Sequence, residues 1–341
     1  MNVGEGSKLI EVKDLRVSFF TPEGEIKAVD GISYALDHGE VMGIVGESGA
    51  GKSVGAYAIM GLIGAPGRVL GGEILFEGED VLRFGKKRMR AFRGGEVSMI
   101  FQDPKTSLNP VFTVGNQLRA VYRAHNRGFS TAEAYRRVAG MLELAGISDA
   151  EKRMKQYPHE LSGGLLQRVM IAMALICSPK LLIADEPTNS LDVTVQAQIL
   201  ELIERLRRET GMGVLFITHD LGAVAKLCDT VSVMYAGAIV EQGTVDDIFY
   251  APAHPYTLGL LRSVPDRENN LTRRLATIEG APADSLRLPA GCPFAPRCES
   301  CMSICLLRRP PFVELSEKHG SACWLCVRNR IAGGEEETPH E

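Results

Sequence analysis

Residues 46 to 53 have the types and the spacing that could hold a phosphate group. They read Gly-Glu-Ser-Gly-Ala-Gly-Lys-Ser, which fits the pattern G-x-x-x-x-G-K-[ST] at every fixed position. In this pattern glycines let backbone N–H groups turn towards one anion, the lysine reaches the β- and γ-phosphates, and the last hydroxyl can hold Mg²⁺. The predicted nucleotide-binding residues are Gly46, Glu47, Ser48, Gly49, Ala50, Gly51, Lys52 and Ser53.

The residues on either side of this loop indicate the two elements that must position it. Residues 41 to 45 form an apolar run typical of a buried strand, and residues 54 to 60 are typical of a helix. A helix that begins at the loop directs the positive end of its dipole at the phosphates. Strand, loop and helix in this order are the context that the phosphate-binding pattern requires.

Further polar side chains follow three other apolar runs that are typical of buried parallel strands. They are Gln102 after residues 97 to 101, Asp185 and Glu186 at the end of residues 181 to 186, and His219 after residues 214 to 218. The carboxyl ends of such strands are where open α/β sheets bind ligands. We therefore predict that Asp185 helps to hold Mg²⁺ beside the phosphates and that Glu186 polarises water.

The region between Gln102 and Asp185 is predicted to be largely helical. Residues 113 to 160 form a helical stretch, in which Ser130 and Glu133 are spaced as a capping box. A Ser-Gly-Gly sequence at residues 162 to 164 then begins another helix and offers a second place where an anion could bind. Such a turn indicates little by itself.

An antiparallel strand layer is predicted ahead of the phosphate loop. Residues 9 to 45 contain short alternating runs that are broken by a Thr-Pro-Glu-Gly turn, and residues 68 to 80 add one more strand pair. Phe19 and Phe20 lie in this layer. An aromatic side chain here could stack on an adenine ring or belong to the core, and the residues alone favour neither interpretation.

The composition limits the class of protein and of partner. A length of 341 residues suggests roughly two domains, and 45% hydrophobic with 23% charged residues is ordinary for a soluble protein. A net charge of -4 argues against nucleic acid or an anionic membrane surface as the main partner. The N-terminus has no secretory signal pattern, so we expect a cytosolic protein whose eight cysteines are not disulfides.

Taken together and in this order, the motifs resemble those of the ATP-binding subunits of ABC transporters. They are the phosphate-binding loop, Gln102, Leu161-Ser162-Gly163-Gly164, Asp185-Glu186, Ser190-Leu191-Asp192 and His219. The Ser-Gly-Gly element separates this family from other phosphate-loop NTPases, although Leu165 stands where the commonest signature has glutamine. The resemblance implies an α/β fold of the ABC type with an antiparallel β layer, a helical subdomain and a small cysteine-rich C-terminal extension.

Other segments are similar to importers of dipeptides, oligopeptides or nickel. They are residues 100 to 104, 107 to 110, the stretch around 254 to 257, and residues 291 to 298. The predicted nucleotide-binding domain spans residues 1 to 250, with a helical subdomain at about 103 to 167. A C-terminal extension of the oligopeptide-transporter type, which carries a cysteine cluster, is predicted at residues 251 to 341.

The resemblance also implies a role for each matching residue. The residues implied to hold Mg²⁺ are Ser53, Gln102 and Asp185. In ATP hydrolysis, Glu186 is implied to be the general base and His219 to contact the γ-phosphate, while Gln102 is implied to sense the γ-phosphate. Phe19 is implied to stack on adenine, with Phe20 as the alternative. The residues implied to complete the site of a partner subunit are Ser162, Gly163 and Gly164.

The family implies an ATPase that powers import of dipeptides, oligopeptides or a related solute. Its expected partners are a second, non-identical ATP-binding subunit, two membrane permease subunits and an extracytoplasmic solute-binding protein, at the cytoplasmic face of the membrane and without nucleic acid. The alternative is a non-transport ABC ATPase that acts on DNA or ribosomes. The sequence speaks against it, because the chain has neither a long coiled-coil insertion nor a second cassette.

Six cysteines in the C-terminal part could hold a metal in two ways. Spacing alone favours a zinc ribbon, because two C-x-x-C pairs are present, Cys298 with Cys301 and Cys323 with Cys326. The resemblance instead implies a [4Fe–4S] cluster, whose ligands would be Cys292, Cys298, Cys305 and Cys323. Free thiols without a metal are the third possibility.

Overall fold

The structure, a computed structural model, describes residues 8 to 126, 128 to 189, 191 to 263 and 278 to 334. Ser190 of the family motif and parts of both predicted domains lie outside these residues. The strands are β1 (Ile10–Thr21), β2 (Gly24–Leu36), β3 (Val41–Val45), β4 (Gly67–Phe76), β5 (Glu79–Asp80), β6 (Val97–Ile100), β7 (Leu181–Asp185), β8 (Gly213–Thr218), β9 (Thr230–Tyr235), β10 (Ala238–Thr244), β11 (Val313–Glu314) and β12 (Gly320–Ser321). The α-helices are α1 (Lys52–Ile59), α2 (Lys86–Phe92), α3 (Pro104–Ser107), α4 (Val114–His125), α5 (Thr131–Leu144), α6 (Ala150–Arg153), α7 (Gly163–Leu175), α8 (Val193–Thr210), α9 (Leu221–Leu227), α10 (Val245–Tyr250), α11 (Pro255–Arg262), α12 (Ser303–Leu307) and α13 (Trp324–Gly334).

The central sheet has eight strands in the order β11-β12-β10-β9-β3-β8-β7-β6. The pairs formed by β6, β7, β8, β3 and β9 are parallel, whereas β10, β12 and β11 extend one side in antiparallel fashion. Every residue of β3, β6, β7 and β8 is buried. Both faces of these strands are covered, which confirms the four buried strands predicted from continuous apolar runs.

A second sheet of four antiparallel strands has the order β2-β1-β4-β5. The predicted turn after Thr21 connects its first two strands as a hairpin. One hydrophobic core joins this layer to the central sheet, and it contains Ile10 and Ile32 from the layer, Ile59 from α1 and Leu215 from β8. The antiparallel layer therefore holds α1, and with it the phosphate loop, against the central sheet.

The helical region lies over the other face of the central sheet. Its core contains Leu118 of α4, Leu142 of α5 and Val169 of α7, together with Ile203 of α8 and Phe216 of β8. The predicted helical stretch over residues 113 to 160 consists of α4, α5 and α6 with turns between them, and the predicted capping box begins α5. The turns let α4 and α5 both pack against α7, while α6 packs against α5.

The C-terminal segment packs beside the antiparallel edge of the central sheet. A third core combines Val233 of β9 and Ile248 of α10 with Tyr256 of α11 and Phe294. The boundary at residue 250 stays a prediction. No helix in the ranges that the structure describes is both long and apolar enough to span a bilayer.

The capping box that begins α5 gives a test of the helical region. The Ser130 hydroxyl accepts the Glu133 N–H at 3.2 Å, and the Glu133 carboxylate accepts the Ser130 N–H at 2.7 Å. We expect Ser130→Ala to weaken α5 by about 1 kcal/mol, and amide hydrogen exchange in its first turn to become roughly fivefold faster. Glu133→Gln keeps a box-forming side chain and should have a smaller effect. Equal exchange in wild type and Ser130→Ala would contradict the capping role.

Candidate active site

The phosphate-binding loop connects β3 to α1, and its glycines are required by its shape. Gly51 precedes α1 with φ 97°, and a Cβ atom there would stand 2.1 Å from the carbonyl oxygen of Ala28. Gly49 has φ 81°, and apart from Gly49 itself and its two chain neighbours, no heavy atom of the described residues lies within 4 Å of the place where its Cβ would be. The loop backbone is therefore tightly packed on one side and open to an anion on the other.

The Lys52 side chain is buried within this loop. Its Nζ atom donates hydrogen bonds to the carbonyl oxygens of Gly46 at 2.7 Å and Glu47 at 3.0 Å. Burial lowers the pKa of Lys52, and the carboxylates of Glu186, Asp185 and Glu47 oppose that shift. The positive charge is thus held inside the loop, near the two acids at the carboxyl end of β7.

Ser53 and Asp185 meet although they are far apart in the sequence. The Ser53 hydroxyl donates to Asp185 Oδ1 at 2.9 Å. The second oxygen, Oδ2, is buried and has no hydrogen-bond partner of ordinary geometry among the described residues, although the Tyr57 hydroxyl is near this carboxylate. Burial raises the pKa of Asp185, and the hydrogen bond from Ser53 opposes that shift. A cation would relieve the unpaired buried oxygen, and hydroxyl and carboxylate oxygens are ligands that Mg²⁺ prefers.

Three polar side chains hold the Glu186 carboxylate. Oε2 accepts hydrogen bonds from Gln102 Nε2 and Asn189 Nδ2, each at 3.0 Å, and His219 Nδ1 lies 3.2 Å from Oε1. The Glu186 backbone has φ 47°, a conformation that residues other than glycine rarely adopt. The structure thus brings together the predicted residues Gln102, Glu186 and His219.

Sequence reasoning missed Asn189, whose one signal was its position three residues after Glu186.

A cleft of about 480 Å³ joins these groups to the phosphate loop. It is lined by Val45, Gly46, Glu47, Ser48, Gln102, Glu186, Asn189, His219, Leu221 and Leu260. One wall therefore consists of the loop, and the other of side chains that follow the parallel strands, together with Leu221 of α9 and Leu260 of α11. This arrangement can hold a phosphate chain on one side and a polarised water on the other.

The Ser-Gly-Gly residues lie elsewhere in the part of the chain that the structure describes. Ser162 precedes α7 and makes no side-chain capping bond, whereas Gly163 and Gly164 form its first residues. None of the three is among the residues that line the cleft. Their predicted contribution to a partner's nucleotide site stays a prediction.

The two predicted adenine-stacking candidates differ in their surroundings. Phe19 is half-buried in β1, and its ring leaves no room for a Cβ atom at Gly67, which would stand 2.6 Å from Cε1. Phe20 is 44% exposed, and the Arg68 guanidinium carbon lies 5.6 Å from its ring centroid. Stacking of either ring on adenine stays a prediction.

The cysteines of the C-terminal segment are free thiols in different environments. Cys292, Cys305, Cys323 and Cys326 are buried, Cys298 is half-buried and Cys301 is exposed. Among the described residues, no group of three or more His, Cys, Asp or Glu side chains is arranged to hold a metal ion. The arrangement of these side chains therefore supports neither the zinc ribbon predicted from spacing nor the [4Fe–4S] cluster implied by the resemblance.

Known proteins similar to this chain share both of its regions. Residues 29–189 match the family described as "ABC transporter", and residues 240–305 match "Oligopeptide/dipeptide transporter, C-terminal region". The oligopeptide transport ATP-binding protein OppD of Salmonella typhimurium is 52% identical over 95% of each chain. The dipeptide transport ATP-binding protein DppD of Bacillus subtilis is 51% identical over 93% of this chain and 95% of that one.

Solved structures are similar to about two thirds of the chain. The ATP-binding cassette MJ0796, in a dimeric post-hydrolysis state with ADP and Pi, has a TM-score of 0.63 and 25% identity, and it covers 69% of this chain and 98% of that one. Its fold confirms the predicted ABC-type α/β architecture. With matches to both regions and about half of its residues identical over nearly the whole length, the chain belongs to the ABC transporter family, among the ATP-binding proteins of oligopeptide and dipeptide transporters.

Proposed function

We propose that this chain hydrolyses ATP in the cleft between the phosphate loop and Glu186, and that the hydrolysis powers import of dipeptides or oligopeptides. The observation that carries the chemistry is the Glu186 carboxylate, held by Gln102, Asn189 and His219 beside the loop. The peptide substrate is supported by the near full-length identity with OppD and by the match to the peptide-transporter C-terminal region. That match also favours transport over an action on DNA or ribosomes.

The side chains divide the work of phosphoryl transfer, which needs positioning and charge neutralisation more than covalent chemistry. Lys52 and the loop amides bind the phosphates, and Glu186 accepts a proton from the attacking water. Gln102 and His219 fix the Glu186 carboxylate and contact the γ-phosphate. Ser53 and Asp185, with Gln102, would hold Mg²⁺, which neutralises phosphate charge when bound.

Replacing the proposed base separates ATP binding from ATP hydrolysis. We expect Glu186→Gln to leave the Kd for ATP within about twofold of wild type, because the amide keeps the size of the side chain. The hydrolysis rate of the assembled complex should fall by at least ~100-fold, the usual contribution of a general base. Isothermal titration and phosphate release measure the two quantities. Glu209→Gln, at an exposed position of α8, is the matched control, and hydrolysis unchanged in Glu186→Gln would remove Glu186 from this role.

The peptide-import function has its own test. The complex, reconstituted in liposomes with its permeases and solute-binding protein, should accumulate a labelled oligopeptide when ATP is on the side of this chain. The Glu186→Gln complex should not, because its cleft cannot complete hydrolysis. If neither complex transports the peptide, and DNA or ribosomes stimulate the ATPase rate, the alternative function would be supported instead.

An apolar groove supports docking onto membrane permease subunits. The groove has a volume of about 410 Å³ and lies where β6 meets α3 and α7; it is lined by Met60, Gly94, Ser98, Met99, Phe101, Ser107, Met170, Met173 and Ala174. Methionine side chains adapt to irregular apolar surfaces. Nearby in the chain, Phe112 is 52% exposed and Val111 is 70% exposed. An amphipathic cytoplasmic helix of a permease would cover this surface and hold the chain at the cytoplasmic face of the membrane.

A second ATP-binding subunit would complete the nucleotide site. Ser162, Gly163 and Gly164 offer a helix N-terminus for an anion but do not line this chain's own cleft. The similar cassette MJ0796 was solved as a dimer with ADP and Pi. A facing arrangement would present the Ser-Gly-Gly residues of one subunit to the phosphates in the other. The segment of residues 67 to 69 resembles that of subunits in this family that pair with a non-identical ATPase, which favours a non-identical partner.

We also propose that Cys292, Cys298, Cys305 and Cys323 hold a [4Fe–4S] cluster. Burial raises the pKa of Cys292, and the neighbouring thiols of Cys305 and Cys323 raise it further. Burial also raises the pKa of Cys298, and the thiols of Cys323, Cys301 and Cys305 raise it further. The Cys292 N–H also donates to the Cys305 carbonyl oxygen at 2.7 Å, so these two residues lie side by side. A cuboidal cluster is larger than one ion, so its ligands need not converge as closely as those of a single metal.

Matched serine substitutions distinguish the cluster from a zinc ribbon. Anaerobically purified wild-type chain and the Cys301→Ser variant should each contain about four irons and four sulfides per chain, because Cys301 is not a proposed cluster ligand. Cys298→Ser should lose most of both. Assays of iron, sulfide and zinc on the same samples measure this. One zinc and no iron in wild type, lost in Cys301→Ser, would overturn the cluster in favour of the ribbon.

A further inference from the structure

Arg297, in the C-terminal segment, contacts the phosphate-binding loop directly. Its Nη1 atom donates to Glu47 Oε2 at 2.6 Å and its Nη2 atom donates to Oε1 at 3.0 Å. The Arg297 side chain is 4% exposed and the Glu47 side chain is 27% exposed. A bidentate pair of this kind is geometrically specific and is little screened by solvent.

The Arg297 guanidinium is itself fixed by several groups. Nε donates to the carbonyl oxygen of Glu279 at 3.0 Å, and Nη2 donates to that of Ile278 at 3.2 Å. The Tyr235 hydroxyl accepts from Nη1 at 3.4 Å, and the guanidinium carbon lies 5.8 Å from the Tyr235 ring centroid. Because these contacts hold the guanidinium in one orientation, little side-chain entropy is lost in holding Glu47.

A second residue of the same segment holds the Glu47 backbone. The Tyr256 hydroxyl accepts the Glu47 N–H at 2.9 Å, and Tyr256 is fully buried. Its ring packs against Tyr235 and Phe294, with centroid distances of 4.7 and 5.3 Å. The side chain and the N–H of Glu47 are therefore both bound by residues that follow position 250.

The backbone of Glu47 is part of the loop's internal hydrogen bonding. Its carbonyl oxygen accepts from Lys52 Nζ at 3.0 Å and from the Ala50 N–H at 3.2 Å. A shift of Glu47 would therefore move an acceptor of the lysine and the first turn of the loop. Pre-organisation of a binding loop raises affinity because less conformational freedom is lost when the ligand binds.

We propose that Arg297 and Tyr256 are positioning residues of the ATP site, which hold Glu47 and thereby make the affinity for ATP depend on the C-terminal segment. The inference rests on the proposed function in that ATP is the ligand of the loop. The residues act through Glu47 and do not touch the nucleotide. Their loss should weaken binding of ATP in all states, so that KM rises more than kcat falls.

The first test measures the Kd for ATP of the full chain by isothermal titration. We expect Arg297→Ala to raise this Kd about tenfold, and to raise KM similarly in the assembled complex while kcat falls less than about threefold. Arg297→Lys should recover part of the loss, because an ammonium supplies charge without the bidentate fork. Arg309→Ala is the matched control, since Arg309 of the same segment pairs with Asp30 instead; its Kd should equal that of wild type.

A double-mutant cycle tests whether Arg297 acts through Glu47. The variant with both Glu47→Gln and Arg297→Ala should bind ATP no more weakly than Arg297→Ala alone, because the two changes remove one interaction. Effects that add, or a Kd unchanged in Arg297→Ala, would overturn the proposal. Tyr256→Phe is a second test, which does not depend on the folding of Arg297→Ala. It removes only the hydroxyl that accepts the Glu47 N–H, and it should also raise the Kd for ATP. Absence of ATP binding in wild type would instead refute the proposed function.

Discussion

The parallel pairing of the central strands is the constraint on which the rest of the structure depends. In β3 and β8, Val45 pairs with Thr218, and in β7 and β8, Asp185 pairs with Ile217. These strands are buried on both faces, so a shift of register would carry side chains out of well-packed positions. With the register fixed, the phosphate loop, the two acids and His219 follow three strands at one edge of the sheet.

Charge is concentrated at this edge at a cost that local contacts offset. Asp185 is fully buried and Lys52 nearly so, and an isolated charge in such surroundings would be strongly unfavourable. The Ser53 hydroxyl bonds the acid, and two loop carbonyls bond the lysine. The backbone of Glu186, beside Asp185, is also strained, with φ 47°. These features favour a triphosphate with its cation, which supplies charges of both signs where the protein has already oriented its own.

The C-terminal segment is part of the same packed structure. Strand β12 pairs with β10, and the buried Glu241 carboxylate of β10 lies 2.9 Å from Nε2 of His319. The same carboxylate accepts the backbone N–H groups of Ala253 and His254. Because a buried acid is tolerated only with such partners, these bonds fix the course of the chain before and after the cysteine region. That course in turn places Arg297 beside the phosphate loop.

Sequence by itself determined the features that depend on neighbouring residues. The phosphate loop, the four buried strands and the capping box at Ser130 follow from local spacing and from apolar runs. Those runs also predicted that Gln102, Glu186 and His219 follow strands of one sheet, although the pairing of the strands brings the three side chains together. The tertiary structure decided the contacts that no local pattern encodes. Arg297 and Glu47 are 250 residues apart, and Tyr256 and Glu47 are 209 apart. Cysteine spacing likewise left two ligand sets open, because folding, not distance along the chain, decides which side chains become neighbours.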